Sequence, residues 1–158
     1  MQRLKLQSMK LLFILSLIVF YFGCQESADG TFSVTVKHYA AAAGITKVYK
    51  ITTHEISLKR DCDFQGCETI EIYKRPLEKT ESDSVYRFLM KSGINDLKSK
   101  YVNDDVMDGF QSDISYTVSG LGSNHIQITN VEVPVAERLY REIDKHIDSI
   151  NFRFHRDY

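Results

Sequence analysis

The sequence lacks most of the patterns by which enzymes and metal proteins are recognised. It contains no tryptophan, two prolines and three cysteines in 158 residues. It has neither G-x-S-x-G nor S-x-x-K, the patterns that present a nucleophilic serine. No two of its five histidines lie within four residues of each other, and no H-E-x-x-H pattern occurs. We therefore expect no cofactor and no enzymatic activity, although a site assembled from distant residues would leave no such pattern.

Positive charge is scarce beyond the first ten residues. After Arg3, Lys5 and Lys10 the chain has 17 lysines and arginines against 21 aspartates and glutamates, a net charge near −4. Nucleic acids are bound largely by neutralising phosphates with basic side chains. Anionic lipid surfaces attract polybasic segments in the same way. The acidic balance therefore excludes nucleic acid as an expected partner.

Long apolar runs are also missing, because the longest one, Leu11–Phe22, has twelve residues. As a helix it would rise about 18 Å, whereas a bilayer core of about 30 Å needs nearer twenty residues. Basic residues precede this run and Gly23 follows it. A charged start, a short apolar core and a small residue predict a secretory signal helix over residues 1–23.

The residues that end this segment, Tyr21-Phe22-Gly23-Cys24, resemble a bacterial lipobox, with Tyr21 where leucine is usual. The resemblance implies that Cys24 receives lipid and becomes the mature N-terminus. The lipid bilayer is then one partner of the protein. In such lipoproteins an aspartate directly after the cysteine favours retention in the inner membrane. This chain has Gln25 at that position, so the resemblance implies sorting to the outer membrane. The expected location is therefore the cell envelope, as an outer-membrane lipoprotein facing the periplasm or the cell surface.

Beyond Cys24 the pattern predicts a flexible tether over residues 24–30 and a single domain over 31–158, a size sufficient for a modest core. Apolar and polar residues alternate in six predicted strands, which is typical of sheets with one buried face. These strands are Thr31–Tyr39, Val48–Ile51, Glu55–Lys59, Glu68–Tyr73 and a hairpin around Gly120-Leu121-Gly122 that pairs Ile114, Tyr116 and Val118 with Ile126 and Ile128.

Two helices are predicted between and after these strands. The first begins at Thr80 or Ser82 and ends at Gly93, and Ile94, Leu97 and Tyr101 predict a short second helix after it. The last begins at Pro134, with Arg138 and Glu142 as an exposed ion pair and His146 at the boundary of the core. The predicted fold is α+β, an antiparallel sheet of about five or six strands with two main helices on one face.

Cys62 and Cys67 are the two cysteines left once Cys24 is assigned to the lipid. An even pair in an exported protein fits a disulfide, although two free thiols are the simpler alternative. Pairing Cys62 directly with Cys67 would place Leu58 opposite Glu71. A register shifted by one residue aligns Leu58 with Ile70 and is favoured by its apolar contacts. A bulge near the tip would reconcile that register with the disulfide.

Acidic residues concentrate in a loop from Asn103 to Gly109. Carboxylates on a flexible loop can bind calcium, and Asp104, Asp105 and Asp108 are the candidate ligands. The alternation and the final glutamate of an EF-hand are missing. The pattern therefore favours a solvated loop that turns into the next strand, and no metal is expected.

The Asp108-Gly109 turn before a strand, Asn130 before a helix that begins with proline, and a terminal helix running to Phe152 resemble small uncharacterised lipoproteins of Gram-negative envelopes. A fainter likeness is to emfourin-type inhibitors of metalloproteases. These resemblances imply no catalytic residue. The expected function is a lipid-anchored, non-catalytic binding module for a protein or envelope partner. The alternatives are an inhibitor or immunity-type protein that neutralises one enzyme or toxin, and an enzyme with a composite site.

Overall fold

The computed structural model describes residues 30–40, 44–62, 68–106 and 109–154. In these residues the alternating sequence patterns form a seven-stranded mixed sheet. The signal segment and most of the tether lie outside these residues. The spatial order of the strands is β4-β3-β2-β1-β6-β7-β5. Their bounds are β1 Phe32–Ala40, β2 Ile45–Thr52, β3 Glu55–Cys62, β4 Ile70–Pro76, β5 Lys100–Val102, β6 Gln111–Val118 and β7 Gly122–Thr129.

Two α-helices accompany the sheet, α1 at Lys79–Lys91 and α2 at Pro134–Asp144, so the architecture is roughly α+β as predicted. Helix α1 begins earlier than predicted, because Glu78 is its N-cap and its backbone N–H donates to Glu81 at 3.0 Å. Gly93 follows α1 with a φ of 76°, the left-handed conformation expected of a glycine after a helix.

One face of the sheet carries the core. The inward residues of β1 lie opposite inward residues of the neighbouring strands β2 and β6. Val34, for example, lies between Ile51 and Tyr116. Helices α1 and α2 contribute Val85, Leu89, Leu139 and Ile143 to the same buried cluster. The strand residues that complete it are Phe32, Val36, Tyr49, Ile56, Leu58, Ile114, Val118, Ile126 and Ile128. The predicted inward faces of these strands are therefore confirmed.

The predicted pairing of β3 with β4 is wrong in both of its versions. Leu58 lies opposite Tyr73, and a bulge after Leu58 shifts Lys59 opposite Glu71. The predicted registers assumed that the alternating isoleucines of β4 are buried, but Ile70 is 45 % exposed. The other end of β4 fixes the alignment instead, since Leu77 is buried and its N–H donates to the carbonyl of His54 at 2.8 Å.

Two further predictions near the helices are corrected by the structure. The short helix predicted after α1 is present as a 3₁₀ helix at Ile94–Asp96, but it does not reach Tyr101, which lies in β5 and pairs in parallel with β7. The predicted exposed ion pair between Arg138 and Glu142 is also wrong. Glu142 is only 5 % exposed, and Arg138 instead donates a hydrogen bond to the carbonyl of Ser92 at 3.0 Å. Burial of Glu142 follows from the contacts of its carboxylate with Lys145 and His146.

Candidate functional site

The second face of the sheet is polar, and its side chains are mostly exposed or half-buried, although Thr46 on β2 and Ser57 on β3 are each only 4 % exposed. Its residues are those that alternate with the core positions along each strand. Across the three central strands they are predominantly serine, threonine and lysine, and no described helix packs on them. The members on β2, β1 and β6 are Thr46, Val48, Lys50, Thr52, Ser33, Thr35, Lys37, Tyr39, Gln111, Asp113, Ser115 and Thr117. We call this set, with its neighbours on β3 and β7, the open face.

Side chains on the open face bond to one another across strands. Thr117 and Ser123 share a hydrogen bond of 2.9 Å, and Ser115 lies 3.0 Å from Nδ1 of His125. Such cross-strand pairs stabilise a sheet modestly, by roughly 0.2–1 kcal/mol each. They also hold the hydroxyl groups in fixed positions, which lowers the entropy cost of presenting them to a partner.

In a catalytic triad, the histidine is oriented by a carboxylate on its other ring nitrogen. Among the described residues, the side chain of His125 has a hydrogen bond with Ser115 and none with a carboxylate. Asp113, on the same face of β6, accepts a hydrogen bond from the Tyr39 hydroxyl at 2.9 Å. The residues also lie on a flat sheet surface, whereas small-molecule sites are usually concave.

Asn130 holds the described part of the acidic loop by a hydrogen bond. Asn130 has a φ of 58° and donates from Nδ2 to the carbonyl of Val106 at 2.7 Å. Asp104 and Asp105 are exposed beside it, and Asp108 lies outside the described residues. Within the described parts of the chain, no three histidine, cysteine, aspartate or glutamate side chains come together in a way that could hold a metal ion.

Of the predicted modification sites, the structure describes Cys62 alone. It is the last residue of β3. Cys67 and Cys24 lie outside the described residues. The disulfide and the lipidation therefore stay predictions.

A partly buried charge network joins β4, α1 and the end of α2. The Arg75 guanidinium donates to both carboxylate oxygens of Glu81, at 2.7 and 2.9 Å, and its Nε donates to the carbonyl of His146 at 3.1 Å. The hydrogen bonds from Arg75 are the main cause that lowers the pKa of Glu81 to about 2, and the pKa of Arg75 is raised in return. Through Arg75, the edge strand β4 is therefore hydrogen-bonded to α1 and to the segment that follows α2.

His146 occupies the centre of this network. Its side chain is 8 % exposed and lies between two carboxylates, with Nδ1 3.4 Å from Glu81 and Nε2 3.7 Å from Glu142. Hydrogen bonding from His146, more than its contact with Lys145, lowers the pKa of Glu142 despite burial. No sequence pattern joins residues 75, 81, 142 and 146, so only tertiary structure could reveal the network. Its bonds are internal, which assigns it a structural role.

Just before β1, the chain packs closely against α1, where Gly30 lies next to the ring of Tyr86. A Cβ at Gly30 would overlap the ring of Tyr86, so only glycine fits where the chain passes this ring. The Tyr86 hydroxyl donates to the carbonyl of Ser119, and Ser119 exchanges backbone and side-chain hydrogen bonds with Thr31. The predicted tether therefore joins the domain at a defined point beside the β6–β7 turn.

Comparison with models of known protein families finds no match for this chain, and comparison with curated proteins finds no similar sequence. Neither of the described helices is long and apolar enough to cross a bilayer. The geometry of the open face and of the chain's entry point is therefore what a functional proposal has to be built on.

Proposed function

We propose that the protein is a lipid-anchored envelope protein of the Gram-negative lipoprotein type, and that it binds another protein through the open face. The observation that carries this proposal is the asymmetry of the sheet. Both helices cover one face, while the other presents exposed and half-buried polar side chains, some of them joined by hydrogen bonds across strands. A broad flat surface of this kind suits a protein partner better than a small molecule.

The joint at Gly30 supports the anchoring part of the proposal. Gly30 lies six positions after Cys24, a stretch that reaches at most about 21 Å when fully extended. An acyl group on Cys24 would therefore keep the β6–β7 turn within about that distance of the bilayer surface.

Lipidation is tested directly at Cys24. In cells fed radiolabelled or alkyne-tagged palmitate, we expect the wild-type protein to take up label and to accumulate as an unprocessed precursor when globomycin is added. Cys24→Ala should take up none and should leave the membrane fraction. Cys62→Ala is the matched control and should label as wild type does. An unlabelled wild-type protein would contradict the anchor.

Docking on the open face is tested with a photoreactive amino acid. Placed at Ser115, in the middle of the open face, it should yield a discrete cross-linked species in intact cells. Placed at Arg87, exposed on α1, it should yield far less of that species. Equal cross-linking at both positions would contradict docking on this face. A single tightly bound enzyme in the cross-linked species would favour the inhibitor or immunity-type alternative.

A further inference from the structure

Among the described residues, a groove between α1 and α2 is lined by three cations and by no carboxylate. Its volume is about 490 Å³, within the range of roughly 300–1,000 Å³ that small-molecule sites occupy. The groove lies on the helical side of the sheet, opposite to the open face. Its lining residues are Ser84, Arg87, Phe88, Lys91, Ser92 and Arg138. We call this set the basic groove.

The three cations of the basic groove come from two helices. Arg87 and Lys91 are four residues apart on α1, and residues at that spacing lie on the same side of a helix. Cations are favourable beside the last turn of a helix, which accounts for Lys91 at the end of α1. The same effect does not account for Arg87, which precedes that turn. Like charges at this spacing repel each other, so the pair brings α1 no stability of its own.

Nearby carboxylates do not neutralise the basic groove. Asp83 pairs with Lys79 at 3.4 Å, and the buried Glu142 pairs with Lys145 at 2.6 Å. Within the described residues, no ion pair of 4 Å or less involves a cation of the groove. At contact distance the groove therefore presents three positive charges. The other carboxylates close to its lining along the chain lie outside that lining, and they are Asp96, Glu132 and Glu137.

Both arginines of the groove are held in place and keep donors to spare. Arg87 donates from Nε to the carbonyl of Asp83 at 3.2 Å, and Arg138 donates from Nη2 to the carbonyl of Ser92 at 3.0 Å. A guanidinium has five N–H donors in a planar fork, so each arginine keeps N–H groups that these bonds do not use. Fixing the guanidinium groups in advance lowers the entropy cost of binding an anion between them.

We propose that the basic groove binds a phosphate monoester. The two guanidinium groups and the Lys91 ammonium pair with the phosphate oxygens, and the half-buried ring of Phe88 contacts the organic part. A phosphate monoester carries about 1.5 to 2 negative charges at pH 7 and has three terminal oxygens. Three cations therefore match it better than they match a carboxylate, which has one charge and two oxygens. The site is separate from the open face and does not depend on docking there.

The probe is phenyl phosphate, titrated by calorimetry at low salt and pH 8 into the full processed protein in neutral detergent. We expect the double variant Arg87→Gln, Lys91→Gln to bind it at least about tenfold more weakly than wild type, because two charge-assisted contacts are lost. The control Lys98→Gln, Arg141→Gln also removes one lysine and one arginine, at exposed positions outside the groove. It should bind within about twofold of wild type.

Because all four substituted residues are exposed, both double variants should retain the wild-type circular dichroism spectrum and melting temperature. Inorganic phosphate should bind wild type more weakly than phenyl phosphate does, since it has no organic part to place against Phe88. Equal affinities for the two anions would refute an ester as the ligand. No saturable binding by wild type, or equal weakening in both double variants, would overturn the site altogether.

A lipid headgroup that ends in a phosphate monoester offers the same chemistry as a soluble ester. Mixed micelles containing phosphatidic acid separate the two sources, with phosphatidylcholine micelles as the control. Displacement of phenyl phosphate by phosphatidic acid at a lower concentration than by unlabelled phenyl phosphate would support the site and assign it to a lipid headgroup. Absence of displacement, together with the loss in Arg87→Gln, Lys91→Gln, would support the site and assign it to a soluble ester.

Discussion

Leu89→Ala should lower the free energy of unfolding by about 3 kcal/mol and the melting temperature by about 10 °C, the largest single effect we expect. Leu89 is fully buried on α1, where it packs with the inward residues of the sheet. Truncation removes apolar contacts and leaves a cavity that rigid strands cannot fill by moving. Urea unfolding followed by circular dichroism measures the change.

The adjacent residue supplies the control for this prediction. Met90 is 40 % exposed on the same helix, so Met90→Ala should change the free energy of unfolding by less than about 0.5 kcal/mol. Similar losses in both variants would mean that α1 does not seal the sheet as described. It would also undermine the assignment of the other face as the accessible one.

Glu81→Gln should lower the free energy of unfolding by about 2 kcal/mol at pH 7, because it breaks the paired hydrogen bonds from Arg75 in a site only 22–27 % exposed. This magnitude lies between that of exposed pairs and that of buried ones. The pKa of Glu81 is lowered from 4.5 to about 2 in the folded protein. The stabilisation is therefore complete above about pH 4.5 and is lost as the pH falls toward 2.

Urea titrations of wild type and variant from pH 3 to pH 7 measure this difference. The gap between the two proteins should narrow steadily below pH 4.5. Glu55→Gln is the matched control, because its partner Lys74 is also a β4 cation but the pair is 38–47 % exposed. We expect a loss of less than about 0.5 kcal/mol for this control. A gap for Glu81→Gln that stays constant from pH 7 to pH 3 would show that ionisation of Glu81 does not stabilise the fold.

The core strands were predictable because their chemistry is local. Phe32, Val34 and Val36 alternate with polar residues, and a side chain's face in a strand depends only on that alternation. The hairpin of β6 and β7 could be predicted for the same reason. Edge elements carry weaker signals. Strand β5 has three residues, and β4 has an exposed isoleucine and a bulge, so in both cases tertiary packing fixes the pairing and local pattern does not.

The candidate site was less accessible to sequence reasoning than the fold. The open face draws on β2, β1 and β6, and its members cannot be grouped until the register of these strands is known. Glu142 was expected in water because an acidic residue on a terminal helix is usually exposed. It contacts Lys145 and His146 at spacings of three and four residues, and His146 in turn lies 3.4 Å from Glu81 on α1, a contact that no sequence spacing indicates.

The position of β1 has a mechanical consequence. It is the central strand of seven, bonded along its length to β2 and β6, and the chain enters it at Gly30. A pull transmitted from the N-terminal side acts along this strand and loads both ladders in shear. Their hydrogen bonds then share the force together instead of opening one after another, as they would if an edge strand were peeled away. A lipid anchor at Cys24, as proposed above, would therefore load the domain through its central strand.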